Sequence, residues 1–68
     1  MSLREEYWEW VVRILQGEIH PDKAKQILFA IVADFTDRRG LRQEWEQIDD
    51  GIQNEIMEEW LGIIQKTL

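Results

Sequence analysis

Sixty-eight residues make one small domain, and a chain of that length buries only about 60% of the surface its unfolded form exposes, so its margin of stability is thin. Eight Lys and Arg against fourteen Asp and Glu give a formal net charge of −6, which disfavours duplex DNA and anionic membrane as partners because both need a positive footprint. With no cysteine there is neither a disulfide framework nor a thiolate zinc site.

The opening Met-Ser-Leu-Arg-Glu-Glu is acidic and amphipathic, unlike a signal peptide. The longest apolar run is far shorter than the roughly 20 residues that span a bilayer, so a cytoplasmic protein is expected. Charge is unevenly spread. Between Gln43 and Gln65 there is no Lys or Arg, while Glu44, Glu46, Asp49, Asp50, Glu55, Glu58 and Glu59 are acidic; Arg38, Arg39 and Arg42 form a basic knot just before.

The first helix is predicted over about 3–16. Ser2 with Glu5 has capping-box spacing. Leu3, Tyr7, Val11 and Ile14 recur at helical spacing, with Trp10 and Leu15 alongside. Trp8 and Val12 widen this arc beyond what packing on one neighbour requires, and Gly17 is the expected stop.

His20-Pro21-Asp22 is the clearest boundary. Proline at a first helical position loses nothing, and Asp22 suits the positive end of the helix dipole; the second helix is predicted over about 21–36. Ala24, Ile27, Leu28, Ile31, Val32 and Phe35 form its apolar arc, and Phe29, Ala30 and Ala33 lie off it. A helix apolar nearly all round is enclosed by its neighbours, so this one is expected in the middle. Arg38 and Arg39 favour its C-terminal end, and Gly40 is expected to terminate it.

Leu41, Trp45 and Ile48 predict a short helix over about 41–48. Asp50 with Gln53 has capping-box spacing for a last helix over about 51–67. That helix places Ile52, Ile56, Trp60, Ile63 and Ile64 on one face, broadened by Met57, Leu61 and Leu68. The fold class is therefore all-α: a small bundle of three main helices plus one short helix, with connections short enough to favour antiparallel neighbours.

Little in the chain carries chemistry. His20, the single histidine, precedes a proline and reads as a cap or turn residue, and no hydroxyl sits in a nucleophile motif. Glu55, Glu58 and Glu59 are helical neighbours that read as a solvated acidic face rather than a metal site. The bundle pairing Glu-x-x-His is missing. No enzyme, metal or cofactor is expected. Arg38, Arg39 and Arg42 are candidates for anion binding, since guanidinium forks match phosphate oxygens; helix-end charge complementarity and ion pairs are the simpler account.

The aromatics are more informative. Trp8, Trp10, Trp45 and Trp60 stand beside Tyr7, Phe29 and Phe35. Each large aromatic buries about 150–250 Å², more in sum than so small a domain encloses. Trp45 and Trp60 fall on core faces. Trp8 with Val12, and Phe29 on the back of the second helix, are expected to stay uncovered as an aromatic interface.

The run Phe35-Thr36-Asp37-Arg38-Arg39-Gly40-Leu41-Arg42-Gln43-Glu44-Trp45, followed by Ile48-Asp49, Ile52-Gln53, Glu55-Ile56 and Trp60, resembles small proteins encoded by phages and prophages. The resemblance covers the second half of the chain and implies a phage-associated accessory protein in the host cell cytoplasm. Small acidic phage proteins are often inhibitors of host machinery, anti-CRISPR and other anti-defence proteins among them. No assigned activity comes with the pattern, so no functional residue carries over.

The leading expectation is a non-enzymatic protein-binding module. Glu44, Glu46, Glu55, Glu58 and Glu59 would meet a host protein's basic groove, and Trp8, Val12 and Phe29 would anchor that contact or a homodimer. The alternative is a homo-oligomeric structural or assembly module built on the first helix. A third reading is nucleotide capture by the three arginines.

Overall fold

Residues 2–68, described by a computed structural model, form four helices: α1 (Leu3–Leu15), α2 (Lys23–Thr36), α3 (Leu41–Glu46) and α4 (Asp50–Thr67). The fold is the expected all-α bundle of three main helices and a short one. Helix α4 packs on both α1 and α2, and α3 lies against α2. The Cα radius of gyration is 11.8 Å, against about 11 Å for a fully compact chain of this size. The bundle is thus slightly open, which leaves grooves between its helices.

Local sequence explains the helix ends. Ser2 Oγ accepts a hydrogen bond from the Glu5 N–H at 3.2 Å, and Asn54 Oδ1, from α4, accepts one from the Arg4 N–H at 3.2 Å. Two of the free donors in the first turn of α1 are therefore satisfied, one locally and one by a distant helix. At the other end Gly17 takes φ +82°; its N–H donates to the Ile14 carbonyl and the Glu18 N–H to the Arg13 carbonyl, each at 3.0 Å. This paired closure is the Schellman motif.

Three boundaries differ from the sequence reading. Helix α2 begins at Lys23, because the Asp22 carboxylate accepts from the Lys25 N–H and makes Asp22 the N-cap; Pro21 lies before the helix rather than at its first position. Gly40, with φ +93°, does not terminate α2, which already ends at Thr36; it opens α3, where the Gln43 side chain accepts from the Gly40 N–H. Helix α4 is capped by Asp49, whose carboxylate accepts from the Gly51 N–H at 3.2 Å. That leaves Gln53 free for another task.

The core is Leu3, Tyr7 and Trp10 from α1, Leu28, Phe29 and Val32 from α2, and Met57 from α4. Phe29 is 0% exposed, which corrects the expectation that it would be an uncovered interface residue. Its ring centroid lies 5.9 Å from Tyr7, 6.0 Å from Trp10 and 5.8 Å from His20. The N-terminal helix covers the very side of α2 that the apolar arc leaves out. Ile31, placed on that arc, is 52% exposed instead, so α2 is not enclosed all round.

A second aromatic group closes the other end. Trp45 and Trp60 stack with centroids 5.9 Å apart and planes 17° apart, and Phe35 meets both edge-on at 5.8 and 6.1 Å. All three are half-buried, and Trp45 and Trp60 pack against the core. Between the two groups sits Gln53, the buried polar residue, 5% exposed. Its Nε2 donates to the Trp45 carbonyl at 2.6 Å and its Oε1 accepts from Arg4 Nε at 2.8 Å. One amide thus ties α1, α3 and α4 together. In consequence α4 is rotated from the expected face: Gln53, Met57, Trp60, Leu61 and Ile64 point inward, while Ile52, Ile63 and Leu68 are exposed.

Candidate functional site

The polar side chains at the turn into α2 are committed to hydrogen bonds that hold the turn. His20 Nδ1 accepts from the Asp22 N–H at 2.9 Å, and the His20 N–H donates to Gln26 Oε1 at 3.2 Å. Gln26 Oε1 also takes the indole N–H of Trp10 at 2.6 Å. The histidine is fixed as part of the turn into α2. Among the described residues no three His, Asp or Glu side chains converge as a metal site would require, and no helix is long and apolar enough to cross a membrane.

The basic knot is dispersed by its own neighbours. Arg38 pairs with Asp34, Nε to Oδ2 at 2.9 Å, and Arg42 with Glu46, Nε to Oε1 at 3.0 Å. Both are i,i+4 pairs on exposed helix surface, worth about 0.3–0.5 kcal/mol each. Arg39 is exposed between them. Arg42 reaches a cleft of about 260 Å³ shared with Arg4, Trp8, Trp45 and Glu46, whereas Arg38 and Arg39 do not line it. The three guanidiniums therefore make no common fork for phosphate.

The acidic residues divide similarly. Glu46 faces that cleft and is paired with Arg42, and Glu44 is exposed on α3. Glu55, Glu58 and Glu59 come together on α4, lining a shallow hollow with Ile56 and Trp60. Among the described residues no cation comes within ion-pair distance of these three; Glu58 accepts only from Asn54 Nδ2, at 3.2 Å. Carboxylates without a cation on one helix face repel one another mildly, so ion pairing does not account for their arrangement.

Two apolar surfaces remain uncovered. On α1 and the turn after it, Trp8, Val12, Leu15 and Ile19 are all exposed, Trp8 at 57%. The spacing of four and three residues from Trp8 through Val12 to Leu15 is that of a helix-packing seam, and Ile19 lies beyond the Gly17 turn, outside the helical register. The sequence reading found Trp8 and Val12 here but placed Leu15 in the core. The second surface runs between α2 and α4. Leu28, Ile31, Phe35, Trp60, Ile63 and Ile64 line an open, almost wholly apolar groove of about 300 Å³. Sequence periodicity missed it because both Ile31 and Ile63 fell on faces assigned to the core. A glutamine within the regular series Gln53-Met57-Trp60-Leu61-Ile64 was the available signal for the true register.

Fold and surface together define a small acidic helical bundle with apolar side chains gathered on its outside. Neither a protein-family model, a curated protein nor a solved structure matches the chain.

Proposed function

We propose that this protein is a non-enzymatic binding module that engages another protein through its acidic and apolar surface. The carrying observation is the uncompensated group Glu55, Glu58 and Glu59 beside Trp60 on the outer face of α4. Charges that pair with no cation and adjoin exposed apolar side chains are what interfaces use, apolar contact for affinity and charge for steering and selection. The partner in this reading carries a basic surface. In this reading the partner is a host protein in the cytoplasm, and the outcome of binding is inhibition of host machinery, anti-defence included.

The test is charge reversal, Glu55→Lys with Glu58→Lys and Glu59→Lys, used as bait in a pull-down from bacterial lysate beside the wild type. Partner capture is expected to disappear while the thermal midpoint stays within a few degrees, because surface substitutions away from packed features cost within about 0.5 kcal/mol. A partner retained equally by both baits would overturn the acidic-face reading.

A second reading, self-association as a structural or assembly module, is favoured by the seam on α1. Small domains often complete their cores by oligomerising. Light scattering at micromolar concentration decides it: a dimer that becomes monomeric with Trp8→Ala and Leu15→Ala supports this reading, and a monomeric wild type removes it. Phe29 has no part in that interface, being fully enclosed.

A further inference from the structure

We infer that the groove between α2 and α4 receives a basic-edged amphipathic helix of a partner protein. This rests on the protein-binding reading and names the form its ligand takes. Trp60 lines both the apolar groove and the hollow of Glu55, Glu58 and Glu59. The two are therefore one surface, an apolar floor with an acidic wall. Ile31 and Ile63, 52% and 60% exposed, stand on either side of the floor as ridges belonging to different helices. A third helix packs into such a trough with its axis about 8–10 Å from each neighbour, presenting residues at i, i+3, i+4 and i+7.

The surroundings select the charge of that helix. On the α2 side the Asp34–Arg38 pair is internally neutral. On the α4 side Glu55, Glu58 and Glu59 outnumber Lys66, which lies in the last turn. Lysines or arginines along one edge of the incoming helix would face the carboxylates, and an acidic edge would be repelled.

Other occupants fit less well. An extended peptide has no strand edge to join in a helical bundle. A second copy of this chain would bring a second set of the same carboxylates to the rim, on a molecule already at −6. A small apolar ligand would be covered on one side only, where ligand sites enclose 70–90% of their ligand.

The experiment titrates three synthetic peptides of about 18 residues against the protein by calorimetry. One is an amphipathic helix with a leucine stripe and a lysine edge; the second carries glutamate at that edge; the third is a scramble of the first with no stripe. Binding is expected for the first alone, weakening at least tenfold with Ile63→Glu and about tenfold with Glu55→Lys plus Glu59→Lys. Ile63 and the carboxylates are exposed, and unchanged far-ultraviolet circular dichroism verifies that the variants fold. Equal binding of the scramble would overturn the helix-in-groove inference while leaving the acidic-face reading intact. Equal binding of the glutamate-edged peptide would overturn the charge assignment. So would a wild-type dimer that Ile63→Glu dissociates, since a second copy would then cover the groove. If no peptide binds while lysate capture still depends on Glu55, Glu58 and Glu59, the groove inference fails and the protein-binding reading survives.

Discussion

Replacing Gln53 by leucine tests the structural centre of the bundle directly. The side chain keeps its approximate size and stays buried, but two hydrogen bonds are lost. The Trp45 carbonyl, which accepts from Gln53 Nε2 at 2.6 Å, loses that donor but keeps the Ile48 N–H at 3.1 Å, so the cost is that of one hydrogen bond, about 0.5–1.5 kcal/mol. Arg4 Nε loses an acceptor at 2.8 Å, yet its side chain is one-third exposed and its Nη2 still meets Asp50 at 3.3 Å. Water therefore replaces much of the second bond, which leaves a loss of about 0.5–1.5 kcal/mol. Leucine returns some apolar burial, so a net loss of about 1–2 kcal/mol is expected. Domains hold about 0.05–0.15 kcal/mol per residue, or roughly 3–10 kcal/mol here, so one substitution removes a large share. The thermal midpoint should fall by about 5–15 °C, at 4–8 °C per kcal/mol for so small a domain. Urea unfolding followed by circular dichroism provides the free energy, and a double-mutant cycle with Arg4→Met isolates the Arg4 contribution. A loss below about 0.5 kcal/mol would refute the claim that this amide joins three helices.

Phe29→Ala should cost about 3–5 kcal/mol and leave the protein at or below the edge of folding, whereas Trp8→Ala should change stability by less than about 1 kcal/mol; equal effects in urea unfolding would contradict the assignment of one to the core and the other to the surface. Gly17→Ala should lose about 1–2 kcal/mol purely from backbone strain at φ +82°, since a Cβ there meets nothing within 4 Å; an unchanged thermal midpoint would argue against the Schellman closure of α1. Asp22→Ala should cost about 0.5–2 kcal/mol as a lost N-cap, and Asp22→Ser should restore most of it in the same melts.

Periodicity was enough to place all four helices, because each carries its apolar residues at helical spacing and is bounded by Ser2, Gly17, Asp22, Gly40 or Asp49. What it could not supply was facing. Helix α2 is apolar around most of its circumference, so its pattern does not say which side meets α1; Phe29 and Ile31 exchanged places for that reason. In α4 two registers compete. One runs without a polar residue through Ile52, Ile56, Trp60 and Ile63, and the other is interrupted by Gln53. The structure takes the interrupted one, in which Gln53 makes hydrogen bonds to a carbonyl of α3 and a guanidinium of α1 that an isoleucine could not make. The exposed groove follows from that choice. Among the candidate site residues, the carboxylate trio was visible as helical spacing, and its meeting with the apolar groove at Trp60 was not.

The cap that Asn54 places on Arg4 joins residues fifty positions apart, and this sets an order of events during synthesis. Helix α1 is translated first, yet its opening turn is completed by a residue of α4 and its apolar face rests on Met57 of the same helix. Until α4 has been made, Leu3, Tyr7 and Trp10 lack Met57 as a packing partner, and the Arg4 N–H lacks its Asn54 acceptor. The N-terminal helix therefore docks in its final place only after the C-terminal one has been made, and the growing chain passes through a stage in which its most apolar helices have yet to be covered.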